Sequence, residues 1–257
     1  MSLSVTVTYQ VRKIFMMSAA ALMVLAANSC TRDNGLAALG TDGGPLRIGI
    51  LGDSISTYEG YIDNSYKSYY PREEVRDGEL VGSDVDDWTK TYWGILLEEY
   101  WNAELDVNAS WSGTCITPRA GFNSDFLARA KTFIDPDIII VNGGTNDYLK
   151  GKKGDGVVTP EKFRTAYENL LDILKASYPQ AQVMIVVGDF VKSDYGDISV
   201  ETADKYNLPC IDFRPYTKSI GKVFNDRSNP HPNAAGMRFM AEKIYDQTKS
   251  IVDNLNK

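Results

Sequence analysis

The chain has 257 residues, 43% hydrophobic and 24% charged, with 21 Gly and 10 Pro, which is the composition of an ordinary folded protein rather than a disordered or fibrous one. Lys and Arg number 27 against 34 Asp and Glu, for a net charge of −7, so no basic surface is available to hold a nucleic-acid backbone. The single His excludes a metal site built on two imidazoles, and three Cys cannot make a four-thiolate zinc site.

Arg12 and Lys13 precede a run from Ile14 to Ala27 whose only polar residue is Ser18. An apolar helix of that length reaches roughly 21 Å, short of the roughly 30 Å hydrocarbon core, so residues 1–29 read as a signal peptide and not a permanent span. Leu25-Ala-Ala-Asn-Ser-Cys30 resembles a bacterial lipoprotein cleavage site, which makes Cys30 the expected lipidated first residue and the lipid the only membrane contact. Cleavage removes two cations and no anion, leaving a more acidic chain outside the cytoplasm, at the periplasm or outer membrane. Residues 30–45 are rich in Gly with few apolar side chains and read as a flexible tether. The folded domain is expected over 46–257. Within it Cys115 and Cys210 are either a disulfide or two separate buried thiols, and sequence alone leaves both open.

Apolar runs without alternation at Leu46 to Leu51, Leu105 to Val107, Asp137 to Val141, Gln182 to Val187 and Pro209 to Ile211 predict five strands covered on both faces. The residues between Ser56 and Trp93 form a long insertion carrying Tyr58, Tyr61, Tyr66, Tyr69, Tyr70, Trp88, Tyr92 and Trp93. A short helix is predicted over about Ser124 to Phe133. A clearer one runs from Thr159 as N-cap, with Pro160 at the first helical position, to Ser177, and the last from about Asn233 to Leu255. Strands alternating with helices imply right-handed crossovers and an α/β fold, a doubly wound parallel five-stranded sheet of flavodoxin-like order. Ligands of such sheets bind beyond the carboxyl ends of the strands, so the loops there are where chemistry is sought.

Four of those segments carry the relevant residue types. Gly52-Asp53-Ser54 places a hydroxyl after a Gly that permits a sharp turn. Asn108 to Gly113, which includes Trp111, offers a backbone N–H at Gly113. Gly144-Thr145-Asn146-Asp147 offers a side-chain amide donor. The sole His stands between two prolines in Pro230-His231-Pro232, just before the last helix. Each taken alone is also what an ordinary turn contains.

In order and placement these segments resemble the four blocks of the SGNH (GDSL) hydrolase family, led by Ser, Gly, Asn and His, from about Leu46 onward. The resemblance implies a three-layer sandwich and acyl transfer without metal or organic cofactor. Ser54 would be the nucleophile, His231 its base, and the N–H groups of Ser54 and Gly113 with the Asn146 amide the oxyanion hole. The family carries an Asp three residues before the His, and here that position is Ser228. Asp226 takes the role if Ser228 to Pro230 form a bulge; otherwise a backbone carbonyl must hold the imidazole tautomer.

The insertion follows Ser54 directly, so its rings either line a substrate cleft or pack on themselves. Tyr58, Tyr61 and Trp111 are the candidate substrate-binding residues, since Tyr and Trp join an apolar face to a polar tip. An esterase with such a rim fits deacetylation of carbohydrate. The alternative is a catalytically silent glycan-binding lipoprotein with the same fold.

Overall fold

A computed structural model describes residues 44–76, 79–119, 126–154, 156–216 and 229–255. The expected signal peptide, Cys30 and all but the last two residues of the tether lie outside the described residues, as do Asp226 and Ser228.

Strands β1 (Arg47–Gly52), β4 (Glu104–Asn108), β5 (Ile138–Asn142), β6 (Gln182–Val187) and β7 (Cys210–Asp212) form one parallel sheet in the order β4-β1-β5-β6-β7. This is the doubly wound order expected. In β5, Ile138 and Ile140 face one apolar layer while Ile139 and Val141 face the other, which is why the strand reads as an unbroken apolar run.

One layer is covered by α1 (Tyr92–Ile95), which continues as π-helical turns over Leu96–Trp101, and by α6 (Ala234–Leu255). The other is covered by α2 (Phe126–Arg129), α4 (Pro160–Ser177) and α5 (Ser193–Lys205). Helix α4 begins as expected, with the Thr159 hydroxyl accepting from the Lys162 N–H at 3.3 Å. The helix expected over Ser124 to Phe133 is described only as Phe126–Arg129, and residues 120–125 lie outside the described residues.

Other elements differ from the sequence expectation. Tyr92 and Trp93, read as the end of a long aromatic insertion whose rings either line a cleft or pack inward, are buried in α1, where they and Leu96, Leu97 and Trp101 pack on the sheet. Helix α3 (Thr145–Lys152), α5 and the antiparallel pair β2 (Glu73–Arg76) and β3 (Glu79–Gly82) were not anticipated. Cys115 and Cys210 are free thiols, the first buried and the second half-buried. No helix among the described residues is long and apolar enough to cross a membrane.

Candidate active site

The carboxyl edge of the sheet is where β1 turns sharply. A Cβ on Gly52 would lie 2.5 Å from the Ser56 side chain and 2.8 Å from Ser110 Oγ, so only glycine lets the backbone pass here. Asp53 then caps a single 3-10 turn over Ser54–Ser56, its Oδ1 accepting from the Ile55 N–H at 3.0 Å. The turn is held from the other side by Asn108 Nδ2 and Trp93 Nε1, both donating to Ser56 O at 2.9 and 3.0 Å. Ser54 is the first residue of this turn, and its Oγ lies 2.8 Å from His231 Nε2.

His231 is reached over 177 positions of sequence and is held on several sides. Asn229 Oδ1 accepts the ring Nδ1–H at 2.5 Å and the His231 backbone N–H at 3.1 Å. That contact puts the proton on Nδ1 and leaves the Nε2 lone pair facing the Ser54 hydroxyl. Tyr69 stacks flat on the imidazole, with ring centroids 3.4 Å apart and planes 9° from parallel, and its hydroxyl accepts from Asn229 Nδ2 at 3.2 Å. Tyr70 stands edge-on to the ring at 6.4 Å and donates its hydroxyl to Pro232 O at 2.6 Å. Burial pushes the imidazole down to about 3, and the Arg72 guanidinium adds to the same effect.

Asp226, the expected acid, lies outside the described residues. Among the described residues, the partner on the Nδ1 edge is an amide. The side-chain amide of Asn229, two residues before the His, occupies that place. Sequence reasoning missed it, and its one available signal was an amide residue within the Pro-flanked segment.

The donors expected for an oxyanion sit on two loops joined from below. Gly113 adopts φ +82°, and the chain just before it is tied to β1 by Trp111 N–H donating to Gly52 O at 3.1 Å. Gly144, at φ +98°, turns β5 into α3, whose second residue is Asn146. Asn146 Nδ2 donates to Thr114 O at 3.0 Å and lies 3.5 Å from Asp53 Oδ2. Asp147 accepts from the backbone N–H groups of Ile116 and Thr117, both at 2.9 Å. Buried Arg129 donates to Gly52 O at 3.1 Å, to Thr114 Oγ1 at 2.9 Å and to Ala109 O. Three buried ionisable side chains, Asp53, Asp147 and Arg129, thus brace these loops. Burial pushes Asp53 up to about 7, with Asp147 adding to the rise while the Ile55 N–H and Arg129 oppose it. Asp147 is likewise raised by its burial.

The aromatic candidates divide. Tyr58 is buried and donates its hydroxyl to Asp86 O at 2.6 Å, so its ring belongs to the packing of the insertion and offers no open face, a correction to the substrate-binding expectation. Tyr61 is exposed but stacks on Trp88 with centroids 4.9 Å apart. Trp111 is half-buried, stacked on Tyr66 at 4.4 Å, on the loop that carries Gly113. A separate cleft of about 480 Å³, lined by Pro118, Leu127, Val157 and the first half of α4, includes none of these residues. Among the described residues no three His, Cys, Asp or Glu side chains gather as a metal site.

A doubly wound α/β sheet with this hydroxyl–imidazole pair and these glycine-led loops on its carboxyl edge is a fold of the SGNH hydrolase class. The family model described as GDSL-like lipase/acylhydrolase matches residues 46–248, and the chain belongs to that family. Among solved structures it is similar to a GDSL-like lipase from Bacteroides ovatus (27% identity, TM-score 0.65, covering 80% of this chain and 98% of that one). A second, from Bacteroides uniformis, shows 25% identity and a TM-score of 0.64, covering 81% and 98%. The fold is also shared with a family two carbohydrate esterase from Clostridium thermocellum solved with cellohexaose, at 20% identity, TM-score 0.55, covering 81% and 65%. No curated protein sequence matches the chain.

Proposed function

We propose that this chain is a serine esterase that removes acetyl groups from carbohydrate at the cell envelope. The observation that carries the reading is the 2.8 Å contact between Ser54 Oγ and His231 Nε2, with the Nδ1 edge of the ring already occupied by Asn229. As Ser54 Oγ bonds to the ester carbon, its proton passes to Nε2 and the carbonyl electrons move onto oxygen. The N–H groups of Ser54 and Gly113 and one amide hydrogen of Asn146 receive that charge. Of the two Asn146 hydrogens, one is held by Thr114 O at 3.0 Å and the other, at the 3.5 Å limit of Asp53, is the weakly held donor offered to the oxyanion. Collapse of the tetrahedral species breaks the bond to the leaving alkoxide, which takes the Nε2 proton; water then repeats the sequence on the acyl-enzyme. As imidazolium forms, the Asn229 carbonyl on Nδ1 supports it, because its hydrogen bond strengthens when the donor becomes charged.

Support for carbohydrate comes from Trp111 on the Gly113 loop, stacked on Tyr66 of the insertion, and from the fold shared with an esterase solved with cellohexaose. Placement at the envelope rests on the lipoprotein-like segment ending at Cys30. Fluorophosphonate labelling tests the nucleophile: wild type is labelled and hydrolyses aryl acetates. Ser54→Ala is unlabelled and loses activity on the order of 10⁶-fold, as loss of a serine nucleophile does elsewhere. An unlabelled wild type, no more active than Ser54→Ala, overturns the esterase and leaves the silent glycan-binding reading. A panel of acetylated sugars against longer acyl esters tests the substrate, with activity expected to fall as the acyl chain lengthens.

A further inference from the structure

We infer that Tyr69 is the positioning residue for His231, acting on the face of the ring by stacking and on its Nδ1 edge through Asn229, so that a neutral Tyr–Asn pair orients the imidazole and selects its tautomer. The face contact, at 3.4 Å and 9°, is close enough to block rotation of the imidazole about its Cβ–Cγ bond. The edge contact is subtler. An Asn amide can present either oxygen or nitrogen, and only oxygen accepts Nδ1–H. The Tyr69 hydroxyl accepts from Asn229 Nδ2 at 3.2 Å, which turns Oδ1 toward the imidazole and thereby selects the tautomer whose Nε2 lone pair faces Ser54.

Tyr69 is itself fixed to the nucleophile turn. Its backbone N–H donates to Thr57 Oγ1 at 2.8 Å, and that hydroxyl donates to Ser54 O at 2.9 Å. Arg72 lies over the Tyr69 ring, 5.1 Å from its centroid. One short path of hydrogen bonds therefore runs from the nucleophile, through Thr57 and Tyr69, to the base. The titratable groups facing the imidazole among the described residues are Ser54, Tyr69, Tyr70 and, across the Tyr69 ring, Arg72.

The inference rests on the esterase reading only for its kinetic consequence, because His231 is the single His of the chain and its ring can be read by nitrogen-15 NMR in tag-free protein without turnover. Wild type is expected to show the Nδ1–H tautomer, with ring-carbon protons shifted upfield by the Tyr69 ring. Tyr69→Phe keeps the upfield shift but releases the amide, so the Nε2–H tautomer mixes in and kcat falls about tenfold, the scale of one lost hydrogen bond to the neutral site. Tyr69→Leu loses both signatures, and kcat falls on the order of 10²-fold or more with KM changed by less than about twofold, since only the transition state uses the imidazole. Thermal melts accompany each variant; if Tyr69→Leu does not fold, the isosteric Tyr69→Phe spectrum decides. The inference is overturned by an Nε2–H tautomer in wild type, by an unaltered tautomer in Tyr69→Phe, or by Asp226→Asn shifting the ring signals while Asn229→Leu leaves them in place. A protein that shows the expected tautomer and its Tyr69 dependence but hydrolyses no ester would sink the esterase reading and keep this one.

Discussion

A histidine base acts only while its Nε2 is unprotonated, and His231 is held at about 3 rather than near 6.5 by burial, with Arg72 contributing. The expected kcat/KM profile therefore stays flat from neutral pH to about 5 and turns down only below about 4, which a pH series in a folded, acid-tolerant window will show. Asn229→Asp places a carboxylate where Oδ1 now sits 2.5 Å from Nδ1, and an opposite charge that close raises an imidazole by about 1–3 units. Its acid limb should move upward accordingly; an unmoved limb would mean that another group, and not His231, sets it. Arg129 presents the other extreme of charge placement. Its guanidinium is buried on Gly52 O, Ala109 O and Thr114 Oγ1 and opposes the rise of Asp53. Arg129→Met leaves those acceptors and Asp53 without their cation, so a loss of about 3–5 kcal/mol is expected in urea unfolding, with activity reduced in whatever fraction stays folded.

At the scale of elements, the site depends on how two strands end. Gly144 ends β5 at φ +98°, with a prospective Cβ 3.3 Å from Phe163 Cζ, and two residues later comes Asn146. Gly144→Ala is expected to cost about 1–3 kcal/mol through backbone strain and to lower kcat by displacing the Asn146 amide, measured by melts and by turnover of an aryl acetate. Such ends were legible in the sequence because glycine announces them. The five strands were legible for a related reason: apolar layers on both sheet faces erase alternation, so Ile138 to Val141 can hardly be anything else. Other elements hid behind their functional compromises. Helix α5 carries Gly196, required because a Cβ there would meet Val191 O at 2.3 Å and the Arg214 side chain. Helix α3 carries Gly151, which lies against Tyr195. Neither helix was anticipated. The π-helical turns at Leu96–Trp101 shift the apolar period partway along, so Tyr92 and Trp93 read as the end of an insertion rather than as the start of a core helix. Within the site, Ser54 and His231 were visible as motif residues. Asn229 and Tyr69 were not, since their partnership spans 160 positions and leaves no local pattern.

The molecule as a whole couples two of these groups to its stability with opposite signs. His231 has a folded value of about 3 against 6.5, so between those limits the unfolded chain binds the extra proton, and stability present above 6.5 is lost as pH falls. Asp53 has a folded value of about 7 against 3.8, so there the folded chain binds the extra proton, and stability present below 3.8 is lost as pH rises. Across roughly pH 4 to 6.5 the two slopes oppose each other. Asp53→Asn removes the falling slope and leaves the rising one. Urea unfolding of wild type and Asp53→Asn at about pH 4, 5.5 and 7 should therefore give curves that diverge, with the variant gaining relative to wild type at each step upward. Asp147 is raised in both proteins, and removal of the neighbouring Asp53 charge eases its ionisation, which adds to the divergence rather than masking it. Parallel curves would show that Asp53 is ionised throughout this range, and its rise to about 7 on burial would have to be abandoned.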